Sequence, residues 1–177
     1  MRVEELIDRI RQDRRCRVEP NAGLPMLPSP SLVLPEDLIT FYTLCGGASL
    51  YNNADFGFVI VPPGEFKPAT PIVHRIQYSQ SPAKYERDIC SAWYLLARSS
   101  GPEENIVIDL HPSRAGKCYD GYVGTYASQD CKIIAASFTE LLGWLLQVEG
   151  RELFWEPPIS HSLGYAYEGM DIEPPCG

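Results

Sequence analysis

Apolar residues recur at helical spacing near the start of the chain and again before its middle. The first stripe stands at i, i+3, i+4 and i+7 among charged residues, and it consists of Val3, Leu6, Ile7 and Ile10. In residues 34–47, Pro35 suits the first helical position, and Gly46 and Gly47 supply the positive φ that ends a helix. Both segments are therefore predicted to be helices.

A third helix is predicted over residues 137–148 by its cap as well as by its apolar stripe. Ser137 and Glu140 match a capping box, in which the two side chains satisfy each other's free backbone N–H groups. The stripe that follows consists of Phe138, Leu141, Leu142, Leu145 and Leu146. This segment carries the clearest helical signal in the chain.

Between these helices the pattern changes to short apolar runs of strand length. The runs lie at 56–61, 93–98, 105–110 and 132–135, and 116–126 is a further strand with glycine interruptions. A polar turn with Gly101 and Pro102 joins the second run to the third, which predicts an antiparallel hairpin. The proline-rich residues 20–35 form an extended connector. This order predicts a single α+β domain with a mostly antiparallel curved sheet and helices packed on one side.

The charge of the chain is unevenly distributed. The 177 residues carry a formal charge of −8. Residues 1–17 hold six basic and four acidic side chains, whereas the remaining residues hold nine basic and nineteen acidic ones. Because phosphate backbones attract lysine and arginine, this balance disfavours direct nucleic-acid binding. An acidic body suits a basic protein partner, and the alternative is that the charge only maintains solubility.

Several sequence features favour the cytoplasm. No apolar run is long enough to span a membrane, and the charged start does not resemble a signal peptide. The cysteines are scattered without a C-x-x-C pair, and they are Cys16, Cys45, Cys90, Cys118, Cys131 and Cys176. We therefore expect reduced thiols, with no zinc knuckle and no thioredoxin motif.

No motif for catalysis, metal or cofactor binding is present. His74, His111 and His161 lack metal-ligand spacing, and there is no G-x-S-x-G elbow or phosphate-binding loop. A metal site assembled across the fold is the alternative. Asp109 is the acid inside an apolar run, Ile106 to Leu110, and it is either a site residue or a carboxylate that holds the following turn through backbone N–H groups. The structural interpretation is favoured.

A middle section that mixes acids with tyrosines is the candidate partner-binding surface. Tyrosine supplies rigid contact area together with a hydroxyl group. The candidate residues are Glu86, Asp88, Glu103, Glu104, Asp120, Tyr122 and Asp130. The alternative is that the acids are solvated and the tyrosines pack against the sheet. Residues 140–177, with seven acids and one base, form a second candidate surface.

The ordered set of motifs resembles the SUKH superfamily, in its branch similar to a fungal cell-wall assembly regulator. The residues that carry the resemblance are Pro35, Gly46, Gly47, Trp93, Asp109, Gly116, Ser137, Phe138 and Glu140. The resemblance covers residues 32–148. It leaves an amphipathic helix and proline-rich connector at 1–31, and an acidic extension rich in proline and aromatic residues at 149–177.

The resemblance implies a single non-enzymatic domain, because bacterial members of this superfamily look like immunity proteins that neutralise toxins. We therefore expect a cytoplasmic immunity protein without cofactor, whose partner is a cognate toxin, basic and of the nuclease type. Two alternatives remain: a regulatory protein-interaction scaffold and a small-molecule-binding domain. The oligomeric state does not follow from the sequence.

Overall fold

The computed structural model describes residues 1–99 and 104–176. In chain order its elements are α1 (Val3–Gln12), β1 (Cys16–Val18), α2 (Glu36–Leu44), β2 (Ala48–Leu50), β3 (Phe58–Ile60), α3 (Thr70–Val73), α4 (Arg75–Gln80), α5 (Pro82–Glu86), β4 (Trp93–Ser99), β5 (Asn105–Asp109), β6 (Cys118–Asp120), β7 (Ile133–Ala135) and α6 (Phe138–Val148). Two 3-10 helices lie at Pro63–Glu65 and Ile89–Ala92. No helix among the described residues is long and apolar enough to cross a bilayer.

The strands form one antiparallel sheet in which the strand order follows the chain, from β1 to β7. The predicted hairpin is confirmed, because β4 pairs with β5 and Trp93 stands opposite Asp109. Its turn, with Gly101 and Pro102, falls outside the described residues. The α+β prediction with a mostly antiparallel sheet is confirmed.

The first face of the sheet carries Ile106 and Ile108 and is covered by α1, α2 and α6. All four residues of the predicted α1 stripe are buried there, and so are Phe41 and Phe138, whose rings meet edge to face at 4.9 Å. The three predicted helices therefore exist because each has one apolar stripe to bury against this face.

The second face carries Trp93, Val107 and Tyr119, since neighbouring residues of a strand point to opposite sides. It is covered by the segment that holds α3–α5, by the loop after β6 and by the C-terminal tail, which contributes the buried Tyr167. The tail also runs beside β7 and the residues before it, where the Leu163 N–H bonds the Ile133 oxygen and the Ala166 N–H bonds the Cys131 oxygen. A tail rich in aromatic residues thus completes a second core layer.

Some local predictions need correction. Helix α2 ends before the glycine pair; Gly47 has a positive φ of 134°, whereas Gly46 is needed for a close backbone approach. Pro35 occupies the N-cap position of α2, immediately before the helix, and not the first helical position that the sequence predicts. Ser137 caps α6 as predicted, but the Glu140 carboxylate accepts from the Ala136 N–H at 2.7 Å. Of the strand predicted at 116–126, the part that forms is β6.

The sequence does not predict the elements whose segments lack a regular apolar period. Strands β1 and β2 have three residues each, which is too short for an alternation to stand out. The short helices α3 to α5 begin beside prolines or polar residues and bury few side chains. The divisions at 31 and 148 stay a prediction, and residues on both outer sides, Ile10 and Trp155, belong to the same core.

Candidate functional site: an acidic cleft

A cleft of about 470 Å³ opens beside β6 and β7. We call it the acidic cleft, and its lining residues are Glu104, Asp120, Tyr122, Thr125, Asp130, Lys132, Leu153, Trp155, Glu156 and Tyr165. Asp120 ends β6, and its backbone N–H bonds the Lys132 carbonyl oxygen at 3.0 Å. Tyr165 also lines the cleft, because its backbone forms an isolated β-bridge with Lys132. Strand ends and the returning tail thus meet in one concave surface.

The charge of the acidic cleft is strongly unbalanced. Four carboxylates line it beside one lysine, and that lysine is already engaged. Lys132 Nζ lies 2.5 Å from a Glu156 carboxylate oxygen and 3.1 Å from the Trp155 carbonyl oxygen. The lining thus carries three more carboxylates than cations. Such a field attracts a positively charged group of a partner.

Asp120 is the most deeply placed of these acids. Its side chain accepts the Tyr122 backbone N–H at 3.1 Å, and the residue is 5% exposed. Burial raises the pKa of Asp120 to about 6, and the nearby Glu156 charge acts in the same direction. The Tyr122 N–H, Lys132 and Trp155 oppose this rise in pKa without cancelling it. The protein thus keeps a costly buried carboxylate inside an open cleft.

We expect Asp120→Asn to stabilise the protein at about pH 7.5 by about 1–2 kcal/mol, with no gain near pH 4. The pKa of Asp120 is higher in the folded protein than in the unfolded chain. Between these two pKa values the folded protein therefore binds a proton on Asp120 that the unfolded chain does not. Stability from this group therefore falls as pH rises through about 4 to 6. Urea unfolding at both pH values measures it, with the exposed Asp130→Asn as the matched control. Equal stability of Asp120→Asn and wild type at both pH values would contradict the prediction.

The structure brings together part of the predicted surface. Glu104, Asp120, Tyr122 and Asp130 line the acidic cleft, while Glu103 lies outside the described residues. Leu153, Trp155, Glu156 and Tyr165 come from the second candidate surface, residues 140–177, and they reach the cleft through the path of the tail. The cleft residues that sequence reasoning missed are Thr125 and Lys132, which no local signal marks.

Glu86 and Asp88 lie elsewhere, beside the second core layer. Asp88 caps the 3-10 helix through the Cys90 N–H at 2.9 Å and accepts the Tyr167 hydroxyl at 2.6 Å. Glu86 accepts the Tyr78 hydroxyl at 3.2 Å. Because Asp88 binds the hydroxyl of Tyr167, it helps to hold the tail in place and has a structural role.

Asp109 is fully buried and multiply bonded. One oxygen accepts the His111 N–H at 2.8 Å, which holds the turn after β5 as the structural interpretation expects. The other accepts from Trp93 Nε1 at 3.0 Å, Arg114 Nε at 2.7 Å and the Tyr119 hydroxyl at 3.2 Å. This carboxylate is enclosed by its own partners and does not face the acidic cleft.

Within residues 1–99 and 104–176, no group of three or more histidine, cysteine or acidic side chains is arranged to hold an ion. His111 lies exposed in the turn after β5, with its ring nitrogen 2.8 Å from the Ser113 hydroxyl. The carboxylates and aromatic rings of the acidic cleft are instead suited to binding a partner through charge and aromatic contact.

Comparison with known proteins agrees with the resemblance read from the motifs. The model of the SMI1/KNR4 family (SUKH-1) matches residues 31–144. The chain belongs to this family. The chain is also 38% identical over 174 residues to a protein of Bacillus subtilis (strain 168) named Immunity protein YokJ, covering 98% of this chain and all of that relative. No solved structure gives a significant match to this SUKH-1 chain.

Proposed function

We propose that this SUKH-1 protein is an immunity protein that binds and neutralises a cognate bacterial toxin in the cytoplasm. The observation that carries the proposal is the 38% identity to a protein named as an immunity protein, which extends over essentially the full length of both chains. The protein acts by occupying its partner and needs no cofactor or catalytic step of its own. This mode agrees with a surface rich in carboxylates and aromatic rings.

We further propose that the toxin is basic and of the nuclease type, and that it docks on the acidic cleft. An enzyme that handles nucleic acid carries a positive surface, since it must attract phosphates. The excess carboxylates around Asp120 and Asp130 complement such a surface, and the side chains of Tyr122 and Tyr165 add aromatic contact area. Entry of a cation also gives the buried Asp120 an opposite charge.

Co-expression tests the immunity function. The protein encoded beside this gene is expressed alone and together with this chain, and growth is scored. We expect toxicity from the neighbour alone, rescue by this chain, and a one-to-one complex on size-exclusion chromatography. Addition of this chain to the purified neighbour at equal molar ratio should stop cleavage of RNA or DNA. A harmless neighbour, or toxicity that persists with this chain present, would refute the immunity proposal.

A pair of charge reversals tests the docking face. Asp130 and Asp171 are both exposed aspartates, but only Asp130 lines the acidic cleft. We expect Asp130→Lys to weaken toxin binding by at least about tenfold at 150 mM salt, where distant charges are screened. The control Asp171→Lys should change affinity by less than about threefold. Equal effects of the two variants on affinity would show that the toxin docks elsewhere than on the acidic cleft, and they would not contradict the immunity function.

A further inference from the structure

The last described residue, Cys176, is held in a polar cluster on the second face of the sheet. Its sulfur lies 3.4 Å from His74 Nδ1 and 3.3 Å from the Tyr85 hydroxyl oxygen. The Cys176 backbone N–H bonds the Ala127 carbonyl oxygen at 3.0 Å, which keeps the end of the tail in place. The residue is still partly exposed to solvent. A thiol beside an imidazole thus belongs to a partly exposed residue at the edge of the second core layer.

The hydrogen bonds of His74 decide which ring nitrogen is available. Nε2 lies 2.8 Å from the Val123 carbonyl oxygen, and that oxygen can only accept, so Nε2 carries the hydrogen. In the neutral ring Nδ1 then has a free lone pair, directed at Cys176 and Tyr85. His74 is 3% exposed and packed edge-on against the rings of Tyr85 and Tyr126. The ring is therefore fixed as a base that faces the thiol.

The remaining cysteines lack this arrangement. Burial raises the pKa of each of their thiols, namely Cys16, Cys45, Cys90, Cys118 and Cys131. Cys16 is the one of these that is also partly exposed, and its side chain interacts with Tyr51. Cys16 therefore serves as an internal reference for a solvent-reachable thiol without an adjacent imidazole.

We propose that Cys176 is a modification site, at which His74 promotes thiol–disulfide exchange with a low-molecular-weight disulfide, R–S–S–R. The thiol proton passes to His74 Nδ1 while the sulfur attacks one sulfur of the disulfide. The Cys176–S–S–R bond forms as the R–S–S–R bond breaks, and R–S⁻ leaves and takes the proton back from the imidazolium as R–SH. The Cys176 sulfur is oxidised and the leaving sulfur is reduced, so no further reactant is needed.

The test compares two thiols in the same native chain. Full-length protein is treated at neutral pH with 2-hydroxyethyl disulfide, an uncharged probe, and the Cys16 and Cys176 peptides are followed by mass spectrometry. We expect Cys176 to react about tenfold or more faster than Cys16. In concentrated urea the ratio should fall towards one, because the cluster is then dispersed. A native ratio at or below one, or a ratio unchanged in urea, would overturn the proposal.

Two variants separate base assistance from simple exposure. His74→Gln removes the base, and we expect the Cys176 rate to fall by about tenfold while the Cys16 rate stays unchanged. Tyr85→Phe removes a competing hydroxyl group but keeps the ring, and the Cys176 rate should be maintained or raised. A folded His74→Gln protein with an undiminished Cys176 rate would exclude the role of the imidazole. Should that variant fail to fold, the rate of Cys176 itself decides the matter: we expect it to be higher in the native protein than in urea, and a native rate at or below the urea rate would exclude the role of the imidazole.

Discussion

Replacing Asp109 with alanine is expected to lower the free energy of unfolding by about 3–5 kcal/mol. The fully buried carboxylate pairs with Arg114 and also accepts bonds from Trp93, Tyr119 and the His111 N–H. Truncation leaves these donors inside the protein without a partner, and each buried unsatisfied group adds its own desolvation cost. Urea unfolding followed by tryptophan fluorescence and circular dichroism measures the loss.

An exposed acid provides the control for this change. Asp171→Ala removes the same charge from the tail surface and should alter stability by no more than about 0.5 kcal/mol. Asp109→Asn keeps the shape of the side chain but loses the charge that pairs with Arg114, so it should fall between the two. If the free energy of unfolding of Asp109→Ala lies within about 1 kcal/mol of the wild-type value, the hydrogen bonds to this carboxylate do not contribute much to the stability of the hairpin.

Gly46→Ala is expected to cost about 3 kcal/mol, the upper part of the usual range for forced overpacking. A Cβ atom at this position would lie 2.1 Å from the Pro20 carbonyl oxygen, which belongs to the backbone and cannot rotate away. The Gly46 N–H also bonds the Glu19 carbonyl oxygen at 3.0 Å, so the two segments are held at this separation. Thermal unfolding should show a drop of about 2–4 °C for each kcal/mol lost.

Gly64→Ala is the matched substitution for Gly46. Nothing lies within 4 Å of a Cβ atom built at Gly64, and no positive φ is required there. We expect its melting temperature to stay within about 2 °C of wild type. Similar melting temperatures for the two variants would contradict this prediction. They would show that the connector before α2 can shift away from position 46 at little cost in stability.

Much of the fold was predictable because strong local signals agree with one another. The stripe of α1, the Ser137 cap of α6 and the apolar runs of β4 and β5 each bury a surface that the sequence displays as a pattern. Asp109 stood out for the same reason, as an acid among apolar neighbours. The sequence also marks the glycine pair as the end of a helix, but the physical need for glycine at position 46 comes from Pro20, twenty-six residues earlier in the chain.

The candidate site was only half predictable. Asp120, Tyr122 and Asp130 lie close in sequence, so an acidic and aromatic patch could be expected around them. The sequence predicts residues 140–177 as a separate acidic surface. In the structure its Glu156 and Tyr165 line the same cleft as Asp120, so the two candidate surfaces partly merge.

The fold class, the hairpin and the three main helices follow from residues near one another in the chain, and the excess of negative charge follows from its composition. The tertiary structure alone decided which acids share a cleft, and it placed His74 beside Cys176, 102 positions away. It also decided that Asp120 is buried enough to raise its pKa to about 6. Burial and long-range contact depend on how the tail packs across the sheet, and no local spacing of residues encodes that path.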